Sequence, residues 1–194
     1  MKQKRISNQL RIIGGRWRGR KLAFADGKGL RPTLDRVRET LFNWLQFDIA
    51  GARCLDLFSG SGALGFEALS RGAALVSMLD TNPAAVKQIR QNLQLLDCSQ
   101  AEVLSQDALI FLKSYKVDIK NEPYNIVFLD PPFQQNLLFD CCQALDENKI
   151  LTNQAFIYVE AEKQLVLPQM PESWMLLKEK KAGQLRYYLF QKID

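Results

Sequence analysis

The chain has 194 residues, of which 47% are hydrophobic and 24% charged, with a net charge of +5; this composition suits a soluble single domain with a substantial core. No apolar run approaches the ~18 residues of a membrane span, and the basic start MKQKRISNQLRIIGG lacks the apolar stretch of a signal peptide, so a cytoplasmic location is expected. The sequence contains no histidine, which excludes Ser–His–Asp catalysis and the usual zinc sites, and no metal is expected.

Positive charge is concentrated at the beginning. Residues 1–38 hold twelve Lys or Arg against only Asp26 and Asp35, a net +10, leaving −5 for the remainder. A basic arm on a mildly acidic body points to a polyanionic partner, with nucleic acid favoured over a merely solvated tail. Residues 10–24, LRIIGGRWRGRKLAF, place two short apolar pieces around a Gly/Arg turn and predict a hairpin. Arg16, Arg18 and Arg20, interleaved with Trp17, suit phosphate gripping and stacking on an exposed base. With little apolar area to bury, this arm is expected to be mobile in the free protein. Residues 1–28 are read as a basic extension and residues 29–194 as the body.

After a loop at 25–30, Leu34, Val37, Leu41, Trp44 and Leu45 recur on one face of a helix, with Thr33 as the expected N-cap. The segment RPTLDRVR at 31–38 has two readings. Its apolar stripe packs on the body, and its charged face brings Arg31, Arg36 or Arg38 near RNA phosphate or a cofactor carboxylate.

From Arg53 onward, strand and helix patterns alternate. Strands are predicted at 54–58, 75–80, 102–104, 126–130 and 156–160, with helices near 62–70, 83–96, 107–114 and 135–146. That alternation predicts βαβ units and a parallel sheet. The tail departs from it: 174–181 and 184–190 flank Ala182-Gly183 and predict a closing antiparallel hairpin. The four cysteines, Cys54, Cys98, Cys141 and Cys142, form no C-x-x-C and are expected as free thiols.

The first strand of the alternating region runs into CLDLFSGSGALG, residues 54–65. Gly60, Gly62 and Gly65 match G-x-G-x-x-G, and Asp80 follows Gly60 by 20 residues, so a dinucleotide oxidoreductase must be weighed. Asp56 argues against it, because a carboxylate just before the loop repels a pyrophosphate. It suits a ligand bearing an ammonium group and a sulfonium, as S-adenosylmethionine does. Carboxylates recur at the ends of successive strands as Asp56, Asp80, Asp107 and Asp130, where parallel sheets bind ligands. Asp80 can accept both ribose hydroxyls and Asp107 the adenine amino group; capping a helix is the competing role for Asp107.

The fourth strand ends in LDPPF, residues 129–133. An exocyclic amine on a base is a poor nucleophile because its lone pair is delocalised. Acceptors for its N–H groups turn that lone pair toward a methyl donor. Asp130 supplies one acceptor and the Pro131 carbonyl another. Pro131 and Pro132 fix the backbone that aims them, and Phe133 offers a stacking face.

These motifs resemble S-adenosylmethionine-dependent methyltransferases acting on exocyclic amines. More narrowly, RIIGGRWRGRKL (11–22), GLRPTLDRVRETLFNWL (29–45), CLDLFSGSGALGFEALSRGA (54–73), NIVFLDPPF (125–133), IYVE (157–160) and AGQLRYYLF (182–190) resemble the RsmD family, the 16S ribosomal RNA guanine-N2 methyltransferases. The resemblance implies an α/β, Rossmann-like class I methyltransferase fold. Its sheet would be seven-stranded and mostly parallel, with helices on both faces, a C-terminal antiparallel hairpin and a small N-terminal hairpin. It also implies S-adenosylmethionine at Asp56, Phe58, Ser59, Gly60 and Gly62, with Asp80 at the ribose and Asp107 near the adenine. Residues Asp130 to Phe133 would form the catalytic turn. Relatives often carry Glu where this chain has Asp80. The implied partner is 16S ribosomal RNA within a small subunit or its assembly intermediate, met by a monomer. Competing readings are an adenine-N6 or cytosine-N4 nucleic-acid methyltransferase, and a non-catalytic RNA-binding assembly factor on the same fold.

Overall fold

Period-two burial organises the sheet. In the computed structural model, which describes residues 8–25, 34–117, 122–132, 137–164 and 170–193, Cys54, Ile126, Phe128 and Tyr158 point to one face and Leu55, Val127, Leu129, Ile157 and Val159 to the other. Strands buried on both faces read as continuous apolar runs, as parallel sheets require. The elements are β1 (Gln9–Arg11), β2 (Lys21–Ala23), α1 (Asp35–Trp44), β3 (Arg53–Asp56), α2 (Ala63–Ser70), β4 (Leu75–Leu79), α3 (Pro83–Leu95), β5 (Ala101–Leu104), α4 (Ala108–Ser114), β6 (Tyr124–Leu129), α5 (Leu137–Glu147), β7 (Leu151–Glu162), β8 (Trp174–Ala182) and β9 (Leu185–Lys192).

The seven-stranded sheet runs β5-β4-β3-β6-β7-β9-β8. The strands from β5 to β7 are parallel, and β9 pairs antiparallel with both β7 and β8. Helices α1, α2 and α3 cover one face and α4 and α5 the other. This is the Rossmann-like architecture expected from the sequence, including the closing hairpin, which turns at Gly183 with φ 61°. Strand boundaries agree within a residue or two except at β7, which begins at Leu151, five residues ahead of the predicted start. The polar run Thr152-Asn153-Gln154 hides that extension, and Gln154 sits at φ 61° where the register with β6 shifts. The expected N-cap Thr33 lies outside the described residues. Cys54, Cys98, Cys141 and Cys142 are free thiols, as expected.

The N-terminal hairpin departs from the expectation of a mobile arm. β1 and β2 pair over three residues, and Leu10, Ile12, Trp17 and Leu22 join the same core as α1, α2 and α3. Trp17 is 8% exposed, so its ring is not free to stack on a base. Four backbone amides of the turn fasten onto α2. Ile13 N–H and Gly14 N–H donate to the Glu67 carboxylate at 2.9 and 2.8 Å. Arg16 N–H donates to the Ser70 carbonyl at 2.6 Å, and Trp17 N–H to Ser70 Oγ at 2.9 Å. Gly15 makes that approach possible: it sits at φ +74°, and a Cβ there would lie 1.8 Å from the Ser70 carbonyl oxygen. The sequence pattern missed this because the anchoring donors belong to the backbone, which composition does not record.

Arg38 is also not a surface cation. Its side chain is fully buried, its Nη2 donates to the Arg11 carbonyl at 2.9 Å and to Asp35 at 2.6 Å, and its Nη1 lies 3.8 Å from Glu67. It cannot reach an RNA phosphate from there. Replacing Glu67 by Ala leaves this buried guanidinium with only the exposed Asp35 as counter-charge, strips Arg71 of its partner, and removes the acceptor of two hairpin amides. Loss of one partner of a buried pair typically destabilises by ~3–5 kcal/mol. Urea unfolding of Glu67→Ala should show a loss of that order, and limited trypsin digestion should cut first at Arg16 or Arg18, which are exposed but held in the parent.

Candidate active site at the strand ends

The carboxyl ends of β3, β4 and β6 meet around the glycine loop. Asp56 closes β3, with Asp56 opposite Met78 on β4 and opposite Phe128 on β6. The chain then turns through residues 57–62 with each step tied to a neighbouring strand. Leu57 N–H donates to the Phe128 carbonyl, and Ser59 N–H to the Leu79 carbonyl at 2.8 Å. Ser59 Oγ donates back to the Asp56 carbonyl at 3.1 Å, and Gly62 N–H closes the turn on the Ser59 carbonyl at 2.6 Å.

The glycines have separate causes. Gly62 adopts φ +78°, and a Cβ there would meet the Phe66 ring at 2.6 Å. Gly65 lies on α2 where a Cβ would meet the Met78 methyl at 2.6 Å. It therefore sets how closely the helix sits on β4, which in turn aims the N-terminus of α2 at the strand ends.

The acids divide by their partners. Asp56 is 3% exposed, and its Oδ2 accepts from Gly65 N–H at 3.2 Å. Burial, and then the neighbouring Asp130, push its carboxyl up to about 7, with the Gly65 amide opposing the shift. Asp130 follows β6, is partly buried, and is likewise pushed up to about 7 by burial. Two carboxyls that resist ionising beside each other make a site short of positive charge. A ligand carrying an ammonium and a sulfonium satisfies that need, whereas a pyrophosphate would worsen it. The fit therefore favours S-adenosylmethionine over a dinucleotide.

Asp80 accepts Gly60 N–H on Oδ2 and Asn82 N–H on Oδ1, both at 2.7 Å. Its carboxylate thus clamps the glycine loop to the end of β4, and each oxygen retains a second lone pair for a ligand hydroxyl. Asp107 caps α4, Oδ1 accepting from Ile110 N–H at 3.0 Å, which is the competing role weighed from the sequence. Phe58 is half-buried against the α4/α5 face, and Ser59 is buried. Pro131 is buried and Pro132 exposed; Phe133 lies outside the described residues.

Among the arginines proposed for RNA, Arg16, Arg18, Arg20 and Arg36 are exposed, Arg38 is buried, and Arg31 lies outside the described residues. Two cavities of about 310 Å³ are separate from the pocket formed by Asp56, Asp80 and Asp130. One opens at the opposite rim of the sheet, beside Ala52, Asn125 and Thr152, and the other runs along α3. The first is lined by uncharged amides and hydroxyls with Asp48 as its one ionisable residue, so it lacks the converging carboxylates of the site at the strand ends.

The family model described as Conserved hypothetical protein 95 matches residues 10–191. The Escherichia coli (strain K12) protein named Ribosomal RNA small subunit methyltransferase D is 50% identical over 186 residues, covering 96% of this chain and 91% of the relative. Its Haemophilus influenzae namesake is 51% identical, with 94% of each covered. Among solved structures, a putative methyltransferase from Escherichia coli superposes with a TM-score of 0.88 at 46% identity, over 96% of this chain and 99% of that one. A putative methylase from Haemophilus influenzae gives 0.82 at 48% identity, over 96% of this chain and all of that one. With the model spanning nearly the whole sequence and half of the residues shared with these relatives, the chain belongs to the Conserved hypothetical protein 95 family, the RsmD family of Rossmann-like methyltransferases.

Proposed function

We propose that this protein transfers a methyl group from S-adenosylmethionine to the exocyclic N2 of a guanine in 16S ribosomal RNA of the small ribosomal subunit. The observation that carries the reading is the convergence of the buried Asp56 and the partly buried Asp130 at the ends of adjacent parallel strands, with the D-P-P turn beginning at the second. The names of the relatives support the RNA substrate. When bound, S-adenosylmethionine supplies an electrophilic methyl group. Asp56 meets the positive end of that ligand, Asp80 its ribose hydroxyls, and the Gly60–Gly62 backbone allows close approach. Asp107 stands near the adenine through its second oxygen. Asp130 and the Pro131 carbonyl accept the two N–H groups of the target amine and turn its lone pair out of the ring plane. Pro131 and Pro132 hold those acceptors fixed, so little reorganisation accompanies the reaction. Phe133 gives the flipped base a surface to stack on. The deciding assay offers labelled cofactor to small subunits, naked ribosomal RNA and duplex DNA in parallel and identifies the modified nucleoside. Label in DNA with none in RNA would refute the proposal.

Asp130→Ala should lower turnover on the order of 100–1000-fold while calorimetry finds S-adenosylhomocysteine affinity nearly unchanged. A variant keeping more than about half its activity would remove Asp130 from the catalytic turn.

Asp80→Ala should show the converse. Losing a charged acceptor for ribose, and the clamp on Gly60, should weaken cofactor binding by roughly 1.5–3 kcal/mol, and saturating cofactor should restore much of the rate. Unchanged affinity would leave Asp80 only its role in the turn.

The raised carboxyls also set a pH dependence. In the free protein Asp56 and Asp130 hold their protons more tightly than in the unfolded chain, whose ordinary value is 3.8. Their contribution to stability is therefore fullest below about pH 4 and is lost as pH rises through about 7. Asp56→Asn should raise the free protein's melting temperature more at pH 8 than at pH 5, while parental affinity for S-adenosylmethionine should fall as pH drops below 7. Parallel melting curves of the two proteins at both pH values would refute the assignment.

A further inference from the structure

The second cavity lies on the outer face of α3, between that helix and the sheet edge at β5. Lys87, Arg90, Gln91 and Gln94 line it, with Ser105 on the opposite wall. Helix α3 contains no Asp or Glu in its thirteen residues, and its exposed side carries Lys87 and Arg90 among amides. Residues 9–25 of the hairpin likewise contain Arg11, Arg16, Arg18, Arg20 and Lys21 and no acid. The two stretches are joined in space. Asn92 Nδ2 donates to the Ala23 carbonyl at 2.8 Å, and Arg20 Nη2 lies 3.5 Å from the Leu95 carbonyl at the end of α3. Arg16 reaches the same end of the helix, where its charge lowers the Cys98 thiol against the upward push of burial. The C-terminal dipole of α3 favours guanidinium groups at that position.

We infer that α3 and the N-terminal hairpin form one continuous RNA-backbone track, with Lys87 and Arg90 as phosphate contacts in addition to Arg16, Arg18 and Arg20. This rests on the reading of the chain as an RNA methyltransferase and extends it to a second element. The helix begins at Pro83, directly after the Asp80–Asn82 turn at the rim of the active site. At 1.5 Å per residue its thirteen residues extend about 20 Å. A strand laid along that length would pass several phosphates between the site and the hairpin. Arg90 donates Nη2 to the Val103 carbonyl at 2.7 Å, which orients its guanidinium and leaves other N–H groups for an anion. An amide-rich, basic surface without acids suits a sugar-phosphate chain, because glutamine contacts sugar and phosphate without selecting a sequence. Asp97 lies at the junction of the two elements, beside Cys98 and outnumbered there by Arg16 and Arg20, and Glu102 flanks the track on β5.

The test is the charge-reversed pair Lys87→Glu with Arg90→Glu in the full chain, measured two ways. Direct binding to a small-subunit ribosomal RNA fragment is titrated by fluorescence anisotropy from 50 to 200 mM salt, and methyl transfer is assayed on small subunits. The double variant should raise both the RNA Kd and the apparent KM on the order of tenfold and flatten the salt slope by about 1.4–1.8, at roughly 0.7–0.9 unit for each of the two lost phosphate contacts. Its kcat at saturating RNA and its affinity for S-adenosylhomocysteine should match the parent. Lys178→Glu with Lys180→Glu, on the opposite edge strand β8, should change none of these. A double variant that binds RNA with the parent's Kd and salt slope overturns the track, and that result is also the one expected if the face serves an acidic protein. A parent that binds RNA but transfers no methyl group to it counts against the proposed reaction alone, and the comparison of Kd values still decides the track.

Discussion

One buried carboxylate holds three separate parts of the chain together. Glu67 is completely shielded from solvent in the second turn of α2. It accepts Ile13 and Gly14 amides from the hairpin and Arg71 Nε from its own helix, and it faces the Arg38 guanidinium of α1 at 3.8 Å. A charge at that depth is tolerable only because so many donors converge on it. The consequence is positional. Helix α2 starts at the glycine loop, so the residue that anchors the hairpin also belongs to the helix whose N-terminus faces the strand ends. Arg71 stacks over Phe42 at 5.2 Å, and Phe42 packs on Phe128 two residues before Asp130. The basic hairpin and the D-P-P turn are thus referred to the same rigid body.

At the other end of α2 the electrostatics run the opposite way. Around Glu67 the protein supplies its own positive charge. Asp56 receives one backbone amide, from Gly65, and the hydroxyl of Ser59, but no cation stands by Asp56 or Asp130 among the described residues, and both carboxyls are forced upward. A stability-optimised protein would place a Lys or Arg there. Leaving that charge to a ligand couples occupancy to the ionisation of the site and favours a cationic ligand over a neutral one of the same shape.

Much of this was legible in the sequence, for identifiable reasons. The βαβ alternation follows from apolar periodicity, and the glycine loop and D-P-P turn combine residue types with few structural alternatives. Asp107 was legible only as two possibilities, because a cap and a ligand acceptor call for the same residue. The N-terminal hairpin was legible, but its packing was not. Little apolar area to bury suggested mobility, while its attachment depends on backbone donors and on a glutamate more than fifty residues away. Arg38 and Trp17 were misplaced for the related reason that periodicity assigns an arginine to the outer face, whereas here the guanidinium reaches inward to Glu67. The α3 face left a weak sign, thirteen residues without an acid, that is meaningful only once the hairpin is seen beside it.

The position of β9 has a consequence for how such a chain comes into being. It pairs with β7 over seven residues and with β8 on its other side, although it follows both in the chain. During synthesis β8 emerges with no neighbour to join, and β7 presents an open edge toward a vacant place. That edge can be filled correctly only when residues 185–192 have left the ribosome, so completion of the sheet waits on a strand that follows both of its neighbours. The parallel strands that carry Asp56, Asp80 and Asp130 emerge first. A nascent chain therefore holds the strands that carry these carboxyls before it holds a closed sheet, and protecting the β7 edge in that interval falls to chaperones or to speed.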